Sequence, residues 1–168
     1  KQRTLTVVGI ALTAEYVYAM APGSLMPDEK RFGVLFMGRE ALAAAGRRRG
    51  AIVPVHLELE SGLNRHGLAP DALVALANRL RAIPELAVEG LFTHFAAAEE
   101  GDQRFTRRQF DVLREVSATV PWIPERHCSA SASVLLDHEM ALEVVRTGLS
   151  MYGYRPAPWC GTDADLRP

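Results

Sequence analysis

Four short stretches of this 168-residue sequence gather residue types that can hold a ligand or react with one: Glu60-Ser61-Gly62-Leu63-Asn64-Arg65-His66-Gly67, Thr93-His94-Phe95, His127-Cys128-Ser129-Ala130-Ser131 and Arg146-Thr147-Gly148. Arg65 and Arg146 offer guanidinium forks that stay charged and match planar or anionic groups. The Ser131 hydroxyl can donate to an anion, and Gly148, lacking a Cβ, lets a backbone N–H come close to a phosphate. His94 can hold or pass a proton near neutral pH. Each has a plainer role as well: Arg65 tying down a glycine-bracketed loop, His94 satisfied in the core, Gly148 making a turn. The run Ser129, Ser131, Ser133 is not a serine-nucleophile site, because the strained Gly-x-Ser-x-Gly turn is missing. His127 and Cys128 do not point to a metal, since neighbouring strand residues face opposite ways and no second ligand pair follows at zinc-like spacing.

These stretches all follow apolar runs. Candidate strands are Leu5 to Leu12, Phe32 to Met37, Ala51 to Leu59, Leu86 to Thr93, Arg126 to Ser129 and Leu142 to Arg146, and candidate helices span about Glu40 to Arg49, Pro70 to Ala82 and Arg107 to Thr119. Strand and helix alternating in this way predict parallel strands joined by crossover helices. Pro70 suits a first helical position, and Pro84 stops the helix that Leu73, Leu76, Ala77 and Leu80 line. Thr106 with Gln109 has the spacing of a capping box, with Phe105 and Phe110 as its staple. Arg47, Arg48 and Arg49 before Gly50 read as a cationic last turn. Along Ala51 to Glu60, Val53, Val55, Leu57 and Leu59 share one face, while His56, Glu58 and Glu60 share the other. A strand between two helix layers would be apolar on both faces, so this alternation favours a barrel with polar groups turned inward. In a (β/α)8 barrel the residues after each strand meet at one end, which would bring Arg65, His94, Ser131 and Arg146 together.

Composition narrows the function classes. With 48% hydrophobic and 23% charged residues the chain has the make-up of a soluble globular domain. A formal net charge of -1 gives no global field toward nucleic acid or an anionic membrane. No apolar run reaches the roughly 20 residues a membrane-spanning helix needs, and the N-terminus lacks the apolar core of a secretory signal. Two cysteines, Cys128 and Cys160, make no disulfide framework and predict a reducing, cytoplasmic setting.

Taken together, the four stretches resemble the alanine racemase family. Val55-His56-Leu57-Glu58-Leu59-Glu60-Ser61-Gly62-Leu63-Asn64-Arg65-His66-Gly67 is similar to that family's His-Leu-Lys-x-Asp-Thr-Gly-Met-x-Arg-x-Gly. Glu89-Gly90-Leu91-Phe92-Thr93-His94-Phe95-Ala96 resembles its Glu-Gly-x-x-Thr-His-Phe-Ala. His127-Cys128-Ser129-Ala130-Ser131-Ala132 resembles His-x-Ala-Asn-Ser-Ala, and Val145-Arg146-Thr147-Gly148-Leu149-Ser150-Met151-Tyr152-Gly153 resembles Val-Arg-x-Gly-x-x-x-Tyr-Gly. The four occur in family order, from about Ala51 to Pro156.

The resemblance implies a homodimeric, pyridoxal 5'-phosphate-dependent enzyme that interconverts L- and D-alanine, with an N-terminal barrel and a C-terminal β domain. By position, Arg146 would face the cofactor's pyridine nitrogen with His94 behind it. Arg65 would approach the phenolic oxygen, and Ser131, Gly148 and Leu149 would hold the phosphate. Glu58 stands where many members have a carboxylated lysine and would brace Arg65 directly; Ala130 replaces a common asparagine. The family's cofactor lysine lies in a Lys-Ala-x-Ala-Tyr-Gly-like setting, but Lys1 and Lys30 are the only lysines and neither has it. The opposite-face tyrosine belongs to the C-terminal domain. The expected architecture is therefore an α/β, partial (β/α)8 TIM barrel, incomplete at its N-terminus and without the C-terminal β domain. Residues 1–156 would form the middle and later barrel and 157–168 the start of a connection, the chain being inactive by itself. A serine or broad-specificity racemase, a non-catalytic pyridoxal-phosphate-binding barrel and a barrel remnant that binds nothing are the competing readings.

Overall fold

Three parallel strands in the order β1-β2-β3 form the sheet of the computed structural model, which describes residues 39–162 and 164–167. The elements are α1 (Arg39–Arg49), β1 (Val53–Glu58), α2 (Pro70–Arg81), β2 (Leu86–Phe92), α3 (Arg104–Thr119), β3 (Glu125–His127) and α4 (Ser131–Leu136), with 3₁₀ turns at His138–Ala141 and Leu149–Tyr152. Each strand lies beside the next in sequence and each crossover carries a helix, so the described residues form an arc of a (β/α) barrel. The candidate strands at residues 5–12 and 32–37 lie outside the described residues.

Local sequence explains the elements. α1 ends in Arg47, Arg48 and Arg49, and Gly50 follows at φ 62, the left-handed turn that suits glycine. Pro70 opens α2, whose Leu73, Ala77 and Leu80 are buried at helical spacing. Phe110, Leu113 and Val116 form the buried stripe of α3. Burying each such large side chain contributes about 1.5–3 kcal/mol before conformational entropy is subtracted. The start of α3 differs from expectation. The helix begins at Arg104 rather than Arg107, so Thr106 and Gln109 are interior positions and both are fully buried. Phe105 lies against the loop after β1, its ring filling the space a Cβ on Gly62 would occupy.

The alternation along β1 is real: Leu57 and Leu59 are buried, Glu58 is half-buried and His56 is exposed. The pairing of β1 with β2 slips between Val55 and His56, so that Val55 faces Val88 but His56 faces Gly90. This bulge leaves Glu89 without a partner and moves Gly90 and Phe92 onto the same face as His56 and Glu58. The polar inner face therefore continues across the sheet in two rows, His56–Gly90–Glu125 and Glu58–Phe92–His127.

The predicted strand over Leu142 to Arg146 is not formed; the segment is irregular, with Leu142 at φ 50. Leu142 and Val145 are also more than a third exposed, so no helix among the described residues covers the run that looked apolar enough for a strand. Local ties position it instead. The Arg146 N–H donates to the Ser129 carbonyl at 2.9 Å, the Ser129 hydroxyl donates to the Met140 carbonyl at 2.6 Å, and Arg126 clasps the Glu143 carboxylate.

The loop after β1 closes on itself. Glu60 N–H donates to the Leu68 carbonyl and Leu68 N–H to the Glu58 carbonyl, both at 2.9 Å. Gly67 makes this possible: its φ is +98, and a Cβ there would sit 2.8 Å from Glu60 N and 3.1 Å from the Glu58 carbonyl oxygen. Because these neighbours are backbone atoms that cannot rotate away, Gly67→Ala should cost about 2–4 kcal/mol. A urea-unfolding midpoint unchanged from the parent would contradict this.

Candidate functional site

The ends of the strands and the segment that follows α4 enclose a cavity of about 380 Å³. His94, Ser131, Arg146, Gly148 and Leu149 line it, together with Phe95, Cys128, Ala130 and Glu99. Sequence reasoning named the first five as ligand-holding residues, and the fold brings them to one place from three separate chain segments. Arg65 does not line this cavity; it is exposed on the neighbouring loop.

Arg146 is the centre of the arrangement. Its Nη2 donates to the Thr93 carbonyl at 2.9 Å and meets His94 Nδ1 at 3.2 Å, and its Nη1 donates to His127 Nδ1. The guanidinium also lies over the Phe92 ring, 4.9 Å from its centroid, and Phe92 stacks on His127 at 4.8 Å with planes 7° apart. Among the described residues Nε has no hydrogen-bond partner. Burial pushes the Arg146 pKa down; Glu58 opposes the shift and the Arg65 charge adds to it. Among the described residues no carboxylate bonds this guanidinium, so a desolvated positive charge faces the cavity with the Thr93 carbonyl and two imidazoles behind it.

Ser131 is the first residue of α4, and its Oγ accepts the N–H groups of Gly148 at 3.0 Å and Ser150 at 3.2 Å. Two accepted bonds leave the hydroxyl hydrogen available to donate into the cavity. Ser133 Oγ accepts the Ala130 N–H at 3.1 Å, which fixes the entry to α4. The space around Gly148 is open, with no atom within 4 Å of a Cβ built there.

A buried polar network holds the loop that carries Arg65. Thr93 Oγ1 donates to the Leu59 carbonyl at 2.9 Å and accepts from Ser61 at 2.6 Å, and Gln109 Nε2 donates to Ser61 Oγ at 3.1 Å. Gln109 Oε1 also accepts the Ala96 N–H at 3.0 Å. Gln109 is thus a brace between two loops rather than a helix cap. Glu60 shapes the loop tip, its carboxylate accepting the N–H groups of Gly62 at 2.5 Å and Asn64 at 2.9 Å.

Sequence reasoning missed two contributors. His127, considered as a metal ligand and quoted in a family motif, is given no role by the sequence, yet it is buried against Arg146; Phe92, read as strand within another motif, is given none either. The signal for both lay in the alternation of the strands, which puts Glu58, Phe92 and His127 in one inward row once the bulge is known. Among the described residues no cluster of His, Cys, Asp or Glu could hold a metal ion, and no helix is long and apolar enough to cross a membrane.

A family model described as "Alanine racemase, N-terminal domain" matches residues 38–156. The chain belongs to the alanine racemase family. It is 33% identical over 133 residues to an alanine racemase of Desulfovibrio desulfuricans, covering 77% of this chain and 36% of that one. It is 31% identical over 140 residues to that of Halothermothrix orenii, covering 79% and 37%. Among solved structures it superposes on the alanine racemase of Clostridium difficile 630 in complex with cycloserine, with a TM-score of 0.70 at 29% identity over 75% of this chain and 36% of that one. The enzyme from the D-cycloserine producer Streptomyces lavendulae gives 0.67 at 33% identity, covering 76% and 35%. The chain therefore spans about a third of the length of these relatives, and its parallel sheet is part of the TIM-barrel N-terminal domain of this family.

Proposed function

We propose that this chain supplies the cofactor-holding arc of a pyridoxal 5'-phosphate-dependent alanine racemase, which in its full-length, homodimeric and cytoplasmic form interconverts L- and D-alanine and so feeds cell-wall synthesis. The observation that carries this reading is the convergence of Arg146, Ser131, Gly148 and Leu149 on one cavity, with a guanidinium that no carboxylate among the described residues hydrogen-bonds. The donor set fits the group. A hydroxyl with its proton to give, beside an unobstructed glycine, suits a phosphate. The unpartnered Arg146 Nε suits a ring nitrogen.

When bound, pyridoxal phosphate supplies an electron sink conjugated to the amino acid's Cα. The residues of this chain set how strong that sink is. Arg146, whose guanidinium gives up its proton far less readily than a carboxylic acid, would hold the ring nitrogen by a donated hydrogen bond without protonating it, which would favour plain proton exchange at Cα over side reactions. Ser131 would hold the phosphate end through its hydroxyl together with the backbone N–H of Leu149, while the Gly148 N–H is given to Ser131 Oγ and positions that hydroxyl. Arg65, exposed on the loop beside the cavity, would be the residue to reach the phenolic oxygen, with Glu58 as its brace. Neither Lys1 nor Lys30 lies among the described residues, and neither has the sequence setting of a cofactor lysine.

Two measurements test the reading. Titrating the chain with pyridoxal phosphate and following cofactor absorbance or protein fluorescence should give saturable binding. Ser131→Ala should weaken it about ten-fold, the loss of roughly one charge-assisted hydrogen bond; no saturable binding would remove the proposal. The 168-residue polypeptide alone should not convert L-alanine to D-alanine in a coupled D-amino-acid oxidase assay. Turnover would show that it contains a complete catalytic set after all.

A further inference from the structure

The inner face of the sheet carries a second constellation beneath Arg146. His56 on β1 and His127 on β3 are separated by a whole strand, yet His56 Nδ1 lies 2.7 Å from His127 Nε2. Adjacent strands stand about 4.8 Å apart, so two imidazoles bridge that span only if the strand between leaves room. It does so at Gly90, which pairs with His56 on one side and Glu125 on the other. A Cβ on Gly90 would lie 2.2 Å from His56 Nδ1 and 2.6 Å from its Cγ and Cε1, inside the ring's own volume. His56 Nε2 in turn lies 3.8 Å from the Glu125 carboxylate.

Hydrogen-bond chemistry orders this row. A guanidinium only donates, so His127 Nδ1, which faces Arg146, must accept. A neutral imidazole has one N–H, which therefore sits on His127 Nε2 and donates to His56 Nδ1. His56 then carries its own hydrogen on Nε2, directed at Glu125. Protonating His127 on both nitrogens would set its Nδ1–H against the guanidinium. Burial and the two neighbouring groups hold its pKa down at about 4, which keeps it neutral near pH 7.

We propose that His56 is a positioning residue: across Gly90 and backed by Glu125, it fixes the tautomer of His127, which keeps an acceptor turned to Arg146 and so aims the guanidinium at its ligand. The hydrogen-bond row itself stands without any cofactor, but its functional consequence rests on the reading of Arg146 given above. His56 touches neither cavity nor ligand, and its effect travels through two other side chains.

Nitrogen-15 NMR of the imidazole groups tests this without a ligand. In the parent chain near pH 7, His127 should show a single neutral tautomer with hydrogen on Nε2. His56→Leu removes the acceptor and should give a mixture of His127 tautomers. His56→Asn places an amide oxygen where Nδ1 stood and should restore the single form. Gly90→Ala should displace the His56 ring and reproduce the His56→Leu spectrum. A His127 hydrogen on Nδ1 in the parent, or a tautomer indifferent to His56→Leu, overturns the proposal. In a parallel titration, pyridoxal phosphate affinity should fall about ten-fold in His56→Leu and recover in His56→Asn. A parent that shows the ordered tautomer but binds no pyridoxal phosphate defeats the cofactor reading and with it the aim of Arg146. Unchanged affinity in His56→Leu beside a disordered His127 defeats the positioning role alone.

Discussion

Replacing Arg146 with methionine should reduce pyridoxal phosphate affinity at least about a hundred-fold while leaving the stability of the ligand-free chain within about 1 kcal/mol of the parent. The affinity loss follows from geometry. Arg146 is the cation lining the cavity that holds Ser131 and Gly148, and its Nε is unpartnered among the described residues. Losing a charged donor costs about 1.5–3 kcal/mol per hydrogen bond, and a desolvated site raises that value. Stability behaves differently because two effects oppose. Methionine leaves the Thr93 carbonyl, His94 Nδ1 and His127 Nδ1 without their donor. It also removes a guanidinium that burial disfavours and that no carboxylate among the described residues bonds. A side chain that costs the empty fold something and acts only when a ligand arrives belongs to a binding site rather than to the core. Arg146→Lys should recover little, since one ammonium on a flexible stem cannot reproduce a planar fork with three acceptors behind it. Fluorescence titration and urea denaturation on the same preparations check both halves. Parallel loss of affinity and stability would recast Arg146 as a structural residue.

The features that depend on local pattern were legible in the sequence, and those that depend on register were not. The three described strands and three long helices follow from alternation, helical spacing and punctuation by Pro70, Pro84 and Gly50. The bulge at Val55/His56 leaves no mark in a single sequence, yet it decides that Gly90 and Phe92 face inward. His127 escaped notice for that reason: its role exists only once Phe92 stacks on it and Arg146 reaches it from a segment with no regular structure. The mistaken strand at Leu142 to Arg146 has the complementary cause. Its residues have strand propensity, but side-chain ties from Ser129 and Arg126 hold the backbone in an irregular path. Thr106 and Gln109 show the same override, since the capping-box spacing is present but the helix starts one turn earlier and Gln109 is used across the loops. Arg65 is placed with the other site residues by barrel topology and by the family resemblance of its loop. Its loop, shaped by Glu60 and Gly67, carries it outside the cavity lining, and its charge still acts on Arg146.

Acidification should unfold the chain by way of His127. Buried between Phe92, Arg146 and His56, this imidazole has its pKa lowered from 6.5 to about 4, first by desolvation and then by the two neighbouring groups. A histidine whose folded pKa lies below its unfolded value binds protons more readily when unfolded. Its stabilising contribution is therefore complete above about pH 6.5 and is lost as pH falls through the window toward 4. A difference of that size corresponds to on the order of 3 kcal/mol, a large share of the stability of a small domain. Asp102 and Glu143 also have lowered pKa values, each through an arginine partner, and they add to acid sensitivity at lower pH. A variant comparison separates the contributions. His127→Gln keeps an amide oxygen able to accept from Arg146 but cannot titrate, so the drop in urea-unfolding free energy between pH 6.5 and 4.5 should be much smaller than in the parent. Since Arg146 supplies part of the depression, Arg146→Met should raise the His127 pKa toward its unfolded value, and less stability should be lost between pH 6.5 and 4 than in the parent. Stability curves for parent and His127→Gln that run parallel across this window would mean that His127 is solvated in the folded chain, and the packing described around Arg146 would have to be withdrawn.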